Sequence, residues 1–183
     1  MHRIMVVDDE SNILSALRRT LGTSVTDGHD VFETQVELFA DPEAALRRTR
    51  DAKFDLVISD YRMPHLNGVE FLKAVRSVQP NAVRLILSGY ADLNALIGAI
   101  NDAQIFRFIS KPWQDFELRA AITQALAFQA LLLENQRLSD RVRVQQGTLS
   151  LQEQELRRLE EETPGITKVN WGPDGSVLLD EDD

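Results

Sequence analysis

Residues 54–68, FDLVISDYRMPHLNG, decide the fold. The run from Phe54 reads as a buried strand ending at Ser59, and it delivers a carboxylate, Asp60, at its tip. Met63, Pro64 and Gly68 follow, and Pro64 pushes Met63 out of helical geometry. Helical spacing then returns from Gly68 to Val78 and stops before Pro80. Strands that are apolar nearly throughout belong to parallel sheets covered on both faces.

The same alternation extends in both directions. RIMVV is a short apolar run that ends at Asp8, Asp9 and Glu10. Ile13, Leu14, Leu17 and Leu21 have the spacing of a helix over Ser11 to Leu21, closed by Gly22. TSVTDGHD reads as a loop, and residues 31–39 as an extended segment with Phe32, Val36 and Leu38 inward. Asp41-Pro42 starts a helix that runs to about Arg50, with aspartate as cap and proline in the first turn. VRLILS is another buried strand, Asp92 to Asp102 a helix, and IFRFIS a fifth strand. A long helix follows Lys111-Pro112. Five strands thus alternate with five helices, and right-handed crossovers make this a doubly wound parallel sandwich. Sites in such sheets lie at the carboxyl ends of the strands. Asp8, Asp9, Asp60, Ser88 and Lys111 should all gather at that edge.

Composition narrows the function. The chain has 183 residues and no cysteine, so disulfides and thiolate metal sites are excluded and a cytoplasmic setting is expected. No apolar stretch approaches the ~20 residues of a membrane span, and the N-terminus lacks signal-peptide organisation. The formal charge is −9, of which residues 160–183, with eight acids and one lysine, carry −7. That balance argues against sequence-independent nucleic-acid binding. His2, His29 and His65 show no spacing for metal ligation and read as surface or loop residues.

Three carboxylates at one spot repel one another unless a cation joins them. Oxygen ligands select a hard ion, and Mg2+ suits two or three carboxylates plus waters. A hydroxyl, Ser88, and an ammonium, Lys111, beside them suit a phosphoryl group, and an aspartate there can act as the nucleophile. Each residue also has a plainer reading. Asp8 and Asp9 suit a helix N-terminus, Ser88 suits a helix cap, and Lys111 suits a solvated surface.

The ordered set VVDDE, SDYRMPHLNG, LILSGYAD and SKPW resembles the receiver domain of two-component response regulators, over roughly residues 1–125. The resemblance implies a flavodoxin-like fold and Mg2+-dependent phosphorylation of Asp60 by a histidine kinase. It implies that Asp8, Asp9, Asp60 and the backbone carbonyl of Arg62 hold the metal, while Ser88 and Lys111 read the phosphate. It also implies a cis bond between Lys111 and Pro112. Phe108 stands where the family carries a switch aromatic, and it reads equally as plain core. Arg62 and Tyr90 stand where the family modulates dephosphorylation, and their bulk would slow attack by water.

From Asp115, read as an N-cap, no proline occurs until Pro164, so residues 116–159 read as one helix. Within the segment 116–160 a heptad places Phe128, Asn135, Val142, Leu149 and Leu156 at a, and Leu131, Leu138, Gln145, Gln152 and Leu159 at d. This seam predicts a parallel coiled-coil homodimer, with Asn135 fixing register. Gln145, Gln152 and Gly147 weaken it, and a single helix that folds back or frays is the alternative. In residues 163–183, ITKVNW and SVLLD flank GPDG and read as a small β-hairpin with an acidic end. The expected function is a phosphorylation-controlled module that works through dimerisation and protein contacts, without DNA binding. Its competitor is a regulatory piece whose long helix links to a catalytic output domain elsewhere.

Overall fold

The computed structural model describes residues 1–22, 24–26, 31–89 and 103–162. The chain divides into two compact units, with the boundary between Glu134 and Asn135. The first holds a six-stranded sheet: β1 (His2–Val7), β2 (Ser24–Thr26), β3 (Val31–Phe39), β4 (Leu56–Asp60), β5 (Val83–Gly89) and β6 (Arg107–Lys111). The helices are α1 (Ser11–Leu21), α2 (Pro42–Asp51), α3 (Gly68–Val78) and α4 (Asp115–Glu162). The strand order is β2-β3-β1-β4-β5-β6. All pairings are parallel except β2 with β3. Without its short edge strand the order is that of a flavodoxin-like sheet.

The pleat sorts the core into two layers, since neighbouring residues of a strand face opposite ways. Ile4, Val6, Leu56, Ile58, Leu85, Leu87 and Ile109 meet Leu14, Leu17 and Leu21 of α1 and Leu118, Ile122 and Leu126 of α4. Met5, Val7, Val57 and Ile86 face the other way, onto Ala45 of α2 and Phe71, Leu72 and Val75 of α3. Local chemistry sets the helix starts. The Asp41 carboxylate accepts from the Glu43 and Ala44 amides, with Pro42 in the first turn. The Asn67 side chain accepts from Glu70 N.

Four expectations need correction, three of them in the sheet and in composition. The segment read as a loop before residue 31 contains β2, which pairs antiparallel with β3 through Val25 and Phe32. Val25 is buried, and that is why three residues amid turn chemistry become a strand. The apolar runs also begin before their strands: Phe54 donates its N–H to the Gln79 side chain, and Phe106 donates its own to Arg84 O. Last, α4 contains an 18-residue window, between Asp115 and Gly147, long and apolar enough by composition to cross a membrane, where none was expected. A face of that segment carries Leu118, Ala121, Ile122, Ala125 and Leu126 into the sheet's core, which accounts for its apolarity.

Helix α4 begins at Asp115, so that residue is its first member rather than its cap; Leu118 N bonds to Gln114 O. The Asp115 carboxylate instead accepts from the Thr20 hydroxyl at 2.9 Å. Phe128, Leu131, Leu138, Val142, Leu156 and Leu159 are exposed apolar residues along it, and Asn135 is exposed too. The Leu149 side chain, the expected helix Asp92 to Asp102 and the expected hairpin over 163–183 lie outside the described residues.

Candidate functional site

The strand ends at the carboxyl edge of the sheet carry the polar residues. Asp8 directly follows β1, Asp60 is the last residue of β4, Ser88 lies near the end of β5, and Lys111 ends β6. Register brings them level: Asp60 pairs with Leu87, and Ser88 with Ser110. The Lys111 Nζ bridges two carboxylates, at 2.7 Å from Asp8 Oδ2 and 2.5 Å from Asp60 Oδ1. Glu10 stands further off, at 3.9 Å. Each carboxylate also accepts a backbone N–H: Glu10 N donates to Asp8 Oδ1 at 2.9 Å, and Arg62 N to Asp60 Oδ2 at 2.7 Å. The Lys111–Pro112 peptide bond is cis.

The loop after Asp60 is fixed by close backbone approach. Tyr61 N bonds to Leu87 O, and Gly68 N returns to Tyr61 O at 2.9 Å. A Cβ on Gly68 would lie 2.0 Å from Asp60 O, so only glycine lets α3 start this close to the end of β4. Met63, within this loop, is buried in the core layer with Val69 and Phe71.

Asp8 is fully buried and Asp60 is 5% exposed. Burial pushes the Asp8 carboxyl above its usual range, against the Lys111 and Glu10 hydrogen bonds that pull it down. Burial would lower Lys111, but hydrogen bonds and charge from Asp60 and Asp8 outweigh it and hold the ammonium above its ordinary value. Two buried carboxylates share one ammonium, so the cluster is short of positive charge. That deficit, with an all-oxygen donor set, fits a hard divalent cation.

The remaining expected residues are placed less uniformly. Asp9 is exposed, and among the described residues no three acidic or imidazole side chains gather closely enough to hold an ion, so the three-carboxylate cluster is a two-carboxylate one here. Ser88 is buried, with its hydroxyl 3.4 Å from Gly89 O. Phe108 pairs with Ile86 in register and packs, half-buried, on the core layer beneath α2 and α3. Tyr90 lies outside the described residues. The sequence reading missed the two backbone N–H groups that orient the carboxylates; the loop-forming residues after Asp60 were the available signal. His2 is not simply a surface residue, because its ring packs edge-on against Phe32 at 5.3 Å.

The sequence profile of the response regulator receiver domain matches residues 4–123. The chain belongs to that family. This receiver is 38% identical over 135 residues to the hydrogenase transcriptional regulatory protein HoxA of Cupriavidus necator, across 74% of this chain and 26% of that protein. It is 32% identical over 123 residues to the transcriptional regulatory protein FixJ of Bradyrhizobium diazoefficiens, across 67% of this chain and 56% of that protein. The chain therefore spans about a quarter to about a half of these curated relatives. Among solved structures, the receiver resembles the signal receiver domain of an HD domain-containing protein from Pseudomonas fluorescens Pf-5. The TM-score is 0.63 at 32% identity, covering 70% of this chain and 97% of that one.

Proposed function

We propose that this receiver is a phosphorylation-controlled switch in which Asp60 accepts a phosphoryl group from a partner histidine kinase. The carrying observation is the Lys111 ammonium set between Asp60 and Asp8 at 2.5 and 2.7 Å, at the end of the acceptor strand. Transfer breaks the P–N bond of the kinase phosphohistidine and forms a P–O bond to the Asp60 carboxylate. Lys111 is placed to take up charge that develops on the phosphoryl oxygens, and the Ser88 hydroxyl to donate to one of them. Asp8, Asp60 and the Arg62 carbonyl would hold Mg2+, with Asp9 reaching it through water. The bound ion supplies charge neutralisation at the phosphoryl group.

Phe108 follows Ser88 as the second switch residue, and Arg62 and Tyr90 shield the acyl phosphate from water. A phosphoryl lifetime of seconds would count against that shielding. The proposed signal leaves through α4, whose exposed apolar residues at heptad positions pair with a second copy as a coiled coil. Output is then by protein contact in the cytoplasm, without DNA binding or membrane insertion, and the receiver does no chemistry beyond its own phosphorylation and dephosphorylation.

A second reading has one observation in its favour. The chain spans about a quarter of the HoxA protein it resembles, so α4 can equally be a linker to an output domain. A reading frame that continues past Asp183 into such a domain would favour it.

Intact-protein mass after incubation with acetyl phosphate and Mg2+ tests the primary reading. One adduct of ~80 Da that requires both Mg2+ and Asp60, and is absent from Asp60→Asn, is expected. No adduct with any small phosphodonor would overturn it.

A further inference from the structure

The sheet holds helix α4 by an apolar face as far as Gln129, which is 5% exposed and the last buried residue along the helix among the described residues. Glutamine is an unexpected end to such a face, because an amide is costly to bury without a partner. Its partner is Asp55: Gln129 Nε2 donates to Asp55 Oδ1 at 3.1 Å. The other carboxylate oxygen, Oδ2, accepts from Arg3 N at 2.8 Å and lies 3.7 Å from His2 Nδ1. Through its backbone Asp55 donates to Arg3 O and accepts from Val83 N, both at 2.9 Å. One residue thus joins β1 and the start of β5 to the last buried turn of α4. Asp55 also immediately precedes β4, the strand that ends at Asp60. All five residues of β4 are buried, and it pairs on both sides, Leu56 with Ile4 and Val83, and Asp60 with Leu87. A strand gripped along its whole length shifts as one piece rather than stretching.

We propose that Asp55 and Gln129 form a latch that passes the state of Asp60 to α4. The inference rests on the phosphorylation reading above, with α4 as the way out, and it names the positioning residues between the two. Both Asp60 oxygens have partners, Lys111 Nζ on Oδ1 and Arg62 N on Oδ2. A new P–O bond on either oxygen displaces one of them, and the load falls on the last residue of β4. At the other end of that strand the latch is the contact least able to follow. A hydrogen bond weakens steeply once its angle is lost. The neighbouring stack of Phe128 on Phe106, with centroids 5.1 Å apart, can slide without coming apart. The latch is closed while Lys111 and Arg62 N hold Asp60 directly. Displacing those contacts opens it, and the turn around Gln129 loosens.

Amide hydrogen exchange of the full chain, read by mass spectrometry over residues 127–134, tests this before and after loading with acetyl phosphate and Mg2+. Loading should speed exchange there about fivefold, the factor that one net hydrogen bond carries. In Gln129→Leu, exchange should already be fast and loading should add nothing, while the ~80 Da adduct forms as in wild type. A bond with a purely structural role would also quicken exchange in that variant but would leave the response to loading intact, and that result would overturn the inference. Because Gln129→Leu can disturb packing, a second variant reverses the bond. With Asp55→Asn and Gln129→Glu together, the new amide can accept from Arg3 N and donate to the new carboxylate. The response to loading should then return; its absence in a chain that takes up the adduct would overturn the latch. An adduct on wild type with no change over residues 127–134 would overturn the latch alone. No adduct at all would overturn the phosphorylation reading, and the latch with it.

Discussion

The carboxyl edge of the sheet and the exposed face of α4 are opposites. At the edge, Asp8 and Asp60 are buried and every described oxygen of their carboxylates has a partner: Lys111 Nζ, Glu10 N or Arg62 N. Along α4, Leu131, Leu138 and Val142 are apolar and exposed, and Phe128 is covered only in part, by Phe106. Directional bonds complete the first region within one chain. The second has periodicity but no cover of its own. The proposed switch needs both: a site whose geometry is settled before a phosphoryl group arrives, and a surface whose pairing is open to change.

The sharpest way to break this contrast is at the edge. Lys111→Met leaves two buried carboxylates with no ammonium between them. Urea unfolding without Mg2+ should show a loss on the order of 3–5 kcal/mol, as when one member of a buried charge pair is removed. Part of that loss should return on adding Mg2+. A stability equal to wild type would mean the cluster is not short of positive charge. Gly68→Ala comes next. Its Cβ meets the Asp60 carbonyl at 2.0 Å, a backbone atom that cannot step aside alone. A loss of about 2–3 kcal/mol, typical of overpacking, should accompany slower phosphoryl uptake.

These two positions also show how far the sequence could be read. The meeting of Asp8, Asp60 and Lys111 was legible because each follows an apolar run, and parallel strands bring such ends together. Gly68 was legible as a loop glycine, but the carbonyl it must clear belongs to a residue eight positions earlier and is invisible before folding. Strand β2 was missed because Ser24–Thr26 is too short to show alternation, and its partner β3 supplies the reason it exists. Strand starts were misplaced at Phe54 and Ile105 because apolar runs report burial, whereas strands are defined by backbone pairing. The difference between Asp8 and Asp9 was not legible: in the sequence they are equals, but successive residues leaving a strand point in different directions, and Asp8 is buried while Asp9 is exposed.

Smaller effects belong to the helix and the sheet margin. A Cβ on Gly147 would meet nothing within 4 Å, so Gly147→Ala should stabilise α4 by about 1 kcal/mol and raise its helicity by circular dichroism. An unchanged helicity would mean that Gly147 does not limit α4. The smallest effect is at Glu37, which the Arg48 hydrogen bond, helped by Arg3, holds below the usual carboxylate range against its burial. A carboxylate with a depressed folded pKa contributes stability above its unfolded pKa and loses it as pH falls through the folded value. Arg48→Gln should therefore lower the urea midpoint at pH 7, and the difference from wild type should shrink below pH ~4.5. A difference that persists at pH 2 would point to packing of the Arg48 stem rather than charge.

The coupling of the two regions is the central claim, and one measurement bears on it directly. The dimer dissociation constant of the full chain is determined by sedimentation equilibrium before and after phosphoryl loading with acetyl phosphate and Mg2+, with the adduct verified by mass. The account predicts a shift of at least tenfold that vanishes in Asp60→Asn. An unchanged constant in chains shown to carry the phosphoryl group would contradict it, leaving α4 a constitutive scaffold attached to a receiver that does not control it.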